Sequence, residues 1–401
     1  MDCTTSGSAP GQRTSLELAD VVREHAHRLE VTTIEQECVL EAVANCRTPA
    51  LGGHEQKCDH CGHTGKLYNS CSNRHCPKCQ GLNEIRWVEN RCKDLLPVEY
   101  FHNVFTIPDV LHPIFLRNRR TAYDLLFEAV NETLQEVALN PEHLGARIGF
   151  TALLHTWTQQ LLYHPHVHCI IAGGGLTSDE AKWVSSKPRY FLPTKVLSKV
   201  FRGKLLSKLE TGLDKGKLTV LGVEGKELLR KAATKEWVID SRPPFAGPEQ
   251  VLRYLGHYAH RIAISNARIV SMDDEHVTFT WKDRANGNLR KLMTIEATEF
   301  LRRFLLHILP RNYYRIRHFG FLANTKRRKA IALCRQLLAV TEQETIDEND
   351  TPETWQETLL RATCKDFTLC PKCQKGHMLN SKEFQSVPEE WWEFPWNRKP
   401  P

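Results

Sequence analysis

Two short patterns in this 401-residue chain could do chemistry together. The first is His166-Val167-His168, set in the run Tyr163-His164-Pro165-His166-Val167-His168-Cys169-Ile170-Ile171. In a strand, side chains alternate faces, so residues i and i+2 point the same way and both imidazoles can grip one cation. The second is a pair of tyrosines four apart, Tyr254 and Tyr258. In a helix, residues i and i+4 share a face with β-carbons roughly 5–6 Å apart, so both phenols can address one point. A metal site joined to two phenol nucleophiles is equipment for breaking and rejoining a DNA strand through a covalent phosphotyrosine.

Either pattern alone carries little, since such triplets and tyrosine pairs are common; their surroundings give them weight. Val167, Ile170 and Ile171 make the histidine run a strand, and His164-Pro165 puts the pair near its start. Upstream lies His155-Thr156-Trp157-Thr158-Gln159-Gln160, from which one side chain could complete a three-ligand set. Three ligands would leave open positions for phosphate oxygens and water, as a catalytic site requires. Around the phenols, Arg253, His257, His260 and Arg261 supply positive charge that would lower a phenol pKa from about 10 and attract phosphate. Gly173-Gly174-Gly175 has no Gly-Lys-Ser/Thr after it and reads as a turn closing the strand, not a phosphate loop.

The cysteines point to metal. There are 14, five of them within Cys58–Cys79 and three within Cys364–Cys373. With no secretory pattern at the start, such clustering argues for metal ligation over a disulfide scaffold. Cys58-x2-Cys61 and Cys76-x2-Cys79 have the spacing of a zinc ribbon around one tetrahedral ion. His54, Cys71 and His75 are additional candidates, enough for a second zinc. Lys57, Lys66, Arg74 and Lys78 flank these ligands, and Arg74 is a candidate phosphate contact. Cys370-x2-Cys373 forms a single knuckle, to which Cys364 and His377 could add two ligands.

The elements that must position these residues follow from apolar spacing. One or two helices are expected over Ser15–Val43 and another over Leu82–Leu96, closed by Pro97. Strands are expected at Tyr100–Ile107, Ile148–Leu154 and His166–Ala172, with a long helix over Arg117–Val137. The stretch 190–240 reads as helical, Pro248–Tyr258 as a helix, Ile262–Val270 and Val277–Trp281 as a hairpin, and Glu299–Leu309 as an apolar helix. Strands and helices alternate without the regular unit of a parallel fold, so the expected class is α+β, an antiparallel sheet covered by helices. The expected divisions are a helical segment at 1–45, a zinc module at 46–95, a main domain at 98–340 with a helical insertion about 180–245, and a tail at 345–401.

Composition is permissive. At 41% hydrophobic and 25% charged residues the chain is that of an ordinary globular protein. Its net charge of +7, from 54 Lys and Arg against 47 Asp and Glu, is compatible with nucleic acid without proving it. No run approaches the roughly 18 apolar residues of a membrane span. A cytoplasmic protein with no membrane partner is the expectation, and oligomeric state is left open.

Assembled in order, these motifs resemble the HUH-superfamily transposases of the IS ninety-one type. The likeness runs from Gly52-Gly53-His54 and Tyr68–Gln80 through His155-Thr156-Trp157, His164–His168, Tyr254–Tyr258 and Arg261–Ser265 to Arg315-Ile316-Arg317-His318-Phe319-Gly320. The resemblance implies an HUH-nuclease core behind a small zinc-ribbon-like domain that binds DNA. It implies His166 and His168 as ligands of Mg²⁺ or Mn²⁺, with a polar third ligand upstream: Gln159 first, then Gln160 and His155. It implies Tyr254 and Tyr258 as nucleophiles acting on single-stranded DNA at a mobile element's ends and target, with Arg74, Arg253 and Arg261 on the DNA and the protein working at the bacterial nucleoid. The competing readings are a rolling-circle plasmid replication initiator or relaxase and a non-catalytic zinc-dependent DNA-binding protein. The second leaves the histidine triplet and the tyrosine pair idle.

Overall fold

The structure, a computed structural model, describes residues 16–31, 33–221, 224–242, 262–283, 286–339 and 354–386. Tyr254, Tyr258, Arg253, Arg261 and the helix expected over Pro248–Tyr258 lie outside the described residues. The chain opens with α1 (Leu18–His25) and α2 (Ile34–Asn45), the latter capped by Thr33, whose hydroxyl accepts from the Gln36 amide. The hairpin β1 (Gly53–Cys58) and β2 (Thr64–Tyr68) leads to α3 (Gln80–Cys92). Then come β3 (Tyr100–Thr106), α4 (His112–Arg117), α5 (Arg119–Leu139), β4 (Arg147–Trp157), β5 (Tyr163–Leu176) and β6 (Trp183–Ser185). The helices α6 (Thr194–Asp214) and α7 (Gly225–Thr234) precede β7 (Ile239–Arg242). A meander, β8 (Ile269–Met272), β9 (His276–Asp283) and β10 (Leu289–Glu296), runs into α8 (Ala297–Leu305). Last are β11 (Ile316–Phe319), α9 (Arg327–Leu337), α10 (Trp355–Thr363) and β12 (Met378–Phe384).

The fold is α+β, with three sheets among the described residues. The largest has the order β11-β4-β5-β3-β7, with β6 also on β5, and every pairing in it is antiparallel. Its central strand is covered on both sides, which is why Val167–Ala172 carries no exposed position. Val167, Cys169 and Ile171 pack with Phe105 and Ala152 against Leu126, Phe127 and Val130 of α5. Ile170 and Ala172 face the other way, into a smaller core with Leu153, Ile331 and Cys334. By the period of two, His166 and His168 share this second face. One face of one strand is thus aliphatic at one end and imidazole at the other.

Three expectations change. The glycines 173–175 do not end β5 but lie within it, Gly174 opposite Ser185 and Gly175 opposite Val184 and Ile148. A side chain has no room there: a β-carbon on Gly174 would lie 2.6 Å from the Trp183 ring. The strand expected from Ile262 begins only at Ile269, because Ile262, Ala263 and Ile264 are all buried without alternation. The helical stretch near 190–240, expected as an insertion or subdomain, shares the main core. Leu197, Phe201, Leu205 and Leu209 of α6 lie in the same core as α5, Lys204 and Lys208 bridge to Glu136 and Glu132 at 2.7 Å, and β7 is an edge strand of the main sheet. The strand β10 was not foreseen; its buried face is too sparse to give a clear apolar period.

The amino-terminal helices pack on the meander and α8, with Leu18, Val22 and Leu40 meeting Phe279, Phe300 and Phe304 in one core. Among the described residues no helix is long and apolar enough to cross a membrane. Because Phe201 is 1% exposed within the main core, Phe201→Ala should lower the stability of the whole sheet domain by about 3–5 kcal/mol. Urea unfolding followed by tryptophan fluorescence reads this. An unchanged main transition would mean that α6 folds as a separate subdomain.

Candidate active site

The register of β4 on β5 sets His155 opposite His166 and Leu153 opposite His168. The ligand-capable nitrogens of His155, His166 and His168 all lie within 4.8 Å of one another, and no other described residues group three imidazoles in this way. Ring centroids are 4.6 Å apart for His155 and His168 and 4.8 Å for His166 and His168. His166 Nδ1–H donates to the His164 carbonyl at 2.6 Å, which fixes the tautomer and leaves Nε2 with its lone pair. On β3, His102 Nε2 sits 2.9 Å from His168 Nδ1, with the two rings nearly parallel at 10°. In His166 and His168 it is Nδ1 that makes these contacts, and Nε2 is the atom that would hold a cation. The donor set fits a divalent ion.

The triad floors a cleft of about 350 Å³. Trp157, Gln159 and Gln160 line it from the end of β4, while Asp240 and Arg242 of β7, paired at 3.0 Å, and Lys282 of β9 line it from elsewhere. The backbone carbonyls of Gln159 and Gln160 are held by Arg268 and Arg303. The third imidazole brought to the pair is thus His155, which sequence reading ranked behind Gln159; Gln159 lies in the same cleft. His102 escaped the sequence reading altogether, because nothing local marks a histidine on a neighbouring strand. Asp240 and Arg242 escaped it because the stretch that carries them read only as helical.

The cysteines expected around one ion are divided between two groups. Cys76 and Cys79 gather with Cys46 and Cys71, with Cys46 and Cys71 sulfurs 3.4 and 3.6 Å from that of Cys79. Cys58 and Cys61 gather with Cys370 and Cys373. The reason is geometric. The β1–β2 hairpin carries Cys58 and Cys61 at its tip, whereas Cys76 and Cys79 begin α3, beside the end of α2. Cys46, the residue that ends α2, was missed because it stands alone in sequence. His54, on β1 opposite Leu67, belongs to neither group. Nor does His75, whose pKa burial and the neighbouring Arg74 push down to about 3. Cys364 ends α10, and His377 Nε2 lies 3.2 Å from Asp366; neither joins a group.

Arg74 is not a free surface cation. Its guanidinium donates to the carbonyls of Tyr313, of Pro310 at 2.8 Å and of Leu309 at 3.4 Å, pinning the cysteine-bearing loop to the segment after α8. Burial, with the neighbouring Arg120, lowers its pKa.

Residues 149–329 match the family model described as "Putative transposase", and residues 18–107 match the "Transposase zinc-binding domain". The chain is 43% identical over 395 residues to "Putative transposase y4qJ" of Sinorhizobium fredii, covering 95% of this chain and 99% of that one. It is 29% identical over 309 residues to the "Transposase for insertion sequence element IS801" of Pseudomonas savastanoi pv. phaseolicola, covering 75% of this chain and 73% of that one. No solved structure matches. The inner cysteine quartet falls inside the matched zinc-binding domain, and four thiols at these separations suit structural Zn²⁺.

If Arg74 docks the zinc module as its contacts indicate, Arg74→Ala should cost about 1–3 kcal/mol, since it strips partners from buried carbonyls. Chemical unfolding measures it. Unchanged stability with weakened DNA binding would return Arg74 to a phosphate-contact role.

Proposed function

The chain belongs to the transposase family of these relatives, and on that premise we propose that it nicks and rejoins single-stranded DNA at the ends of a mobile element. The reaction passes through a 5′-phosphotyrosine intermediate in metal-dependent, rolling-circle-like transposition. The observation that carries this reading is the triad of His155, His166 and His168, three imidazoles converging at the floor of an open cleft. A bound divalent cation would polarise the scissile phosphate and neutralise charge on its oxygens. Imidazole donors favour Mn²⁺ over Mg²⁺, which prefers an all-oxygen shell.

The protein's own residues do the rest. His164 and His102 hold His166 and His168 in orientation, so that no rotamer search precedes ion capture. Lys282 puts positive charge on the cleft wall beside the Arg242–Asp240 pair, suited to a strand backbone, and Trp157 and Trp281 offer ring faces to unstacked bases. Tyr254 and Tyr258 are the nucleophiles, and Arg253 and Arg261 supply positive charge for the phosphate. Attack forms a bond between a phenol oxygen and phosphorus and breaks the bond from phosphorus to the 3′ oxygen. The phenol proton ends on the 3′-hydroxyl released. Rejoining reverses these steps with a different 3′-hydroxyl. Two phenols allow one to hold the first cleaved 5′ end while the other attacks the second strand.

The test is a covalent protein–DNA adduct on a single-stranded oligonucleotide bearing the element's end, resolved by denaturing gel with Mn²⁺ present. The wild-type chain should form it, and either single Tyr→Phe variant should still form some. The variant with Tyr254→Phe and Tyr258→Phe together should form none. An adduct of wild-type yield in that double variant would end the paired-nucleophile reading.

A further inference from the structure

The outer cysteine quartet joins the two ends of the chain. Cys58 closes β1 and Cys61 lies in the turn after it, while Cys370 and Cys373 belong to a knuckle just before β12. The sequence separation is 315 residues for Cys58 and Cys373 and 309 for Cys61 and Cys370. Both of those sulfur pairs stand 3.8 Å apart. A tetrahedral ion with sulfur bonds of about 2.3 Å requires sulfurs about 3.8 Å from one another. The separations match that requirement and are far too long for a disulfide, whose sulfurs lie about 2.05 Å apart.

The backbone around the quartet is built as two facing knuckles. The amides of His60 and Cys61 point at Cys58 Sγ, and that of Gly376 at Cys373 Sγ, each at 3.4 Å. The knuckles meet so closely that a β-carbon on Gly376 would lie 2.3 Å from Asp59 Oδ1 and 2.8 Å from Cys58 Sγ. Asp59 Oδ1 accepts from the His377 amide at 2.8 Å, and the Asp59 amide donates to the His377 carbonyl at 3.1 Å. Beyond the knuckle, β12 pairs antiparallel with β1 from Cys58–Met378 to Gly53–Phe384.

What is missing is an apolar reason for this docking. Most of β12 is exposed, as are Leu379 at 57% and Phe367 at 56%, so the tail segment brings little hydrophobic burial of its own. We infer that Cys58, Cys61, Cys370 and Cys373 form a second structural zinc site, distinct from the inner quartet, whose ion clasps the carboxy-terminal segment onto the amino-terminal hairpin. The matched zinc-binding domain ends at residue 107 and holds only half of these ligands. The clasp also fixes α10, whose Arg361 pairs with Glu89 of α3 at 2.7 Å; α3 in turn covers the face of the main sheet through Trp87 and Val88.

Metal content of the full-length chain tests the clasp. The wild-type protein should carry two zinc ions, and the variant with Cys370→Ser and Cys373→Ser should carry one. That variant should also be cut by trypsin after Arg361 and Lys365 at least tenfold faster, with the remainder of the chain still resistant. If the variant does not fold, cobalt exchanged into the wild-type protein gives the answer by sulfur-to-metal charge-transfer absorption, with eight thiolates expected from the two quartets. One zinc in the wild-type chain, two zinc ions in the variant, or a cobalt spectrum of only four thiolates would overturn the clasp.

Discussion

The register of β4 against β5 is the constraint from which the site follows. It puts His155 across from His166, and the period of two puts His168 on the same face. A slip of β5 by one residue would turn His166 and His168 into the core filled by Val167, Cys169 and Ile171 and away from His155 on β4. That core prevents the slip, since β5 is packed between α5 on one side and α9 with α3 on the other. The chemistry is thus anchored by apolar burial on the opposite face of the strand. The pairing of β3 on the other edge of β5 brings His102 to His168, so the orientation of the donor set is shared across three adjacent strands.

Around this sheet the chain arranges two different means of holding irregular structure together. The amino-terminal helices rely on ordinary packing against Phe279, Phe300 and Phe304. The segments between them and the sheet are short and polar, and there the cysteines take over: an inner quartet ties the end of α2 to the start of α3. A short segment that cannot build a core gains its folding energy from the ion instead. Arg74 then links that module to the segment after α8 through backbone carbonyls, a role for which its rigid planar fork is suited.

Much of this was legible in the sequence where the signal is local. The spacing of His166 and His168 shows their shared face, since alternation needs only the strand, and the strand shows in Val167, Ile170 and Ile171. The α+β class, the long helix α5 and the knuckles at Cys58 and Cys76 are legible for the same reason. What was hidden depends on long-range pairing. The knuckle spacing is the same whichever partner it takes, so sequence alone joined Cys58 to Cys76, whereas the hairpin geometry turns Cys58 toward Cys373. Cys46 and His102 have no local signature, and the nearness of His155 to His166 and His168 depends on the cross-strand register. What α6 packs against was hidden too, because helical periodicity shows an apolar face without showing what that face meets.

The central claim is that three imidazoles on one sheet face form the ion site of the cleft. Manganese titration followed by electron paramagnetic resonance, on full-length protein without DNA, tests it independently of strand cleavage. The account predicts one Mn²⁺ beyond the zinc sites, with affinity lowered at least about tenfold by His155→Ala and little changed by Gln159→Ala. Undiminished Mn²⁺ affinity in His155→Ala, or loss of binding in Gln159→Ala alone, would contradict it.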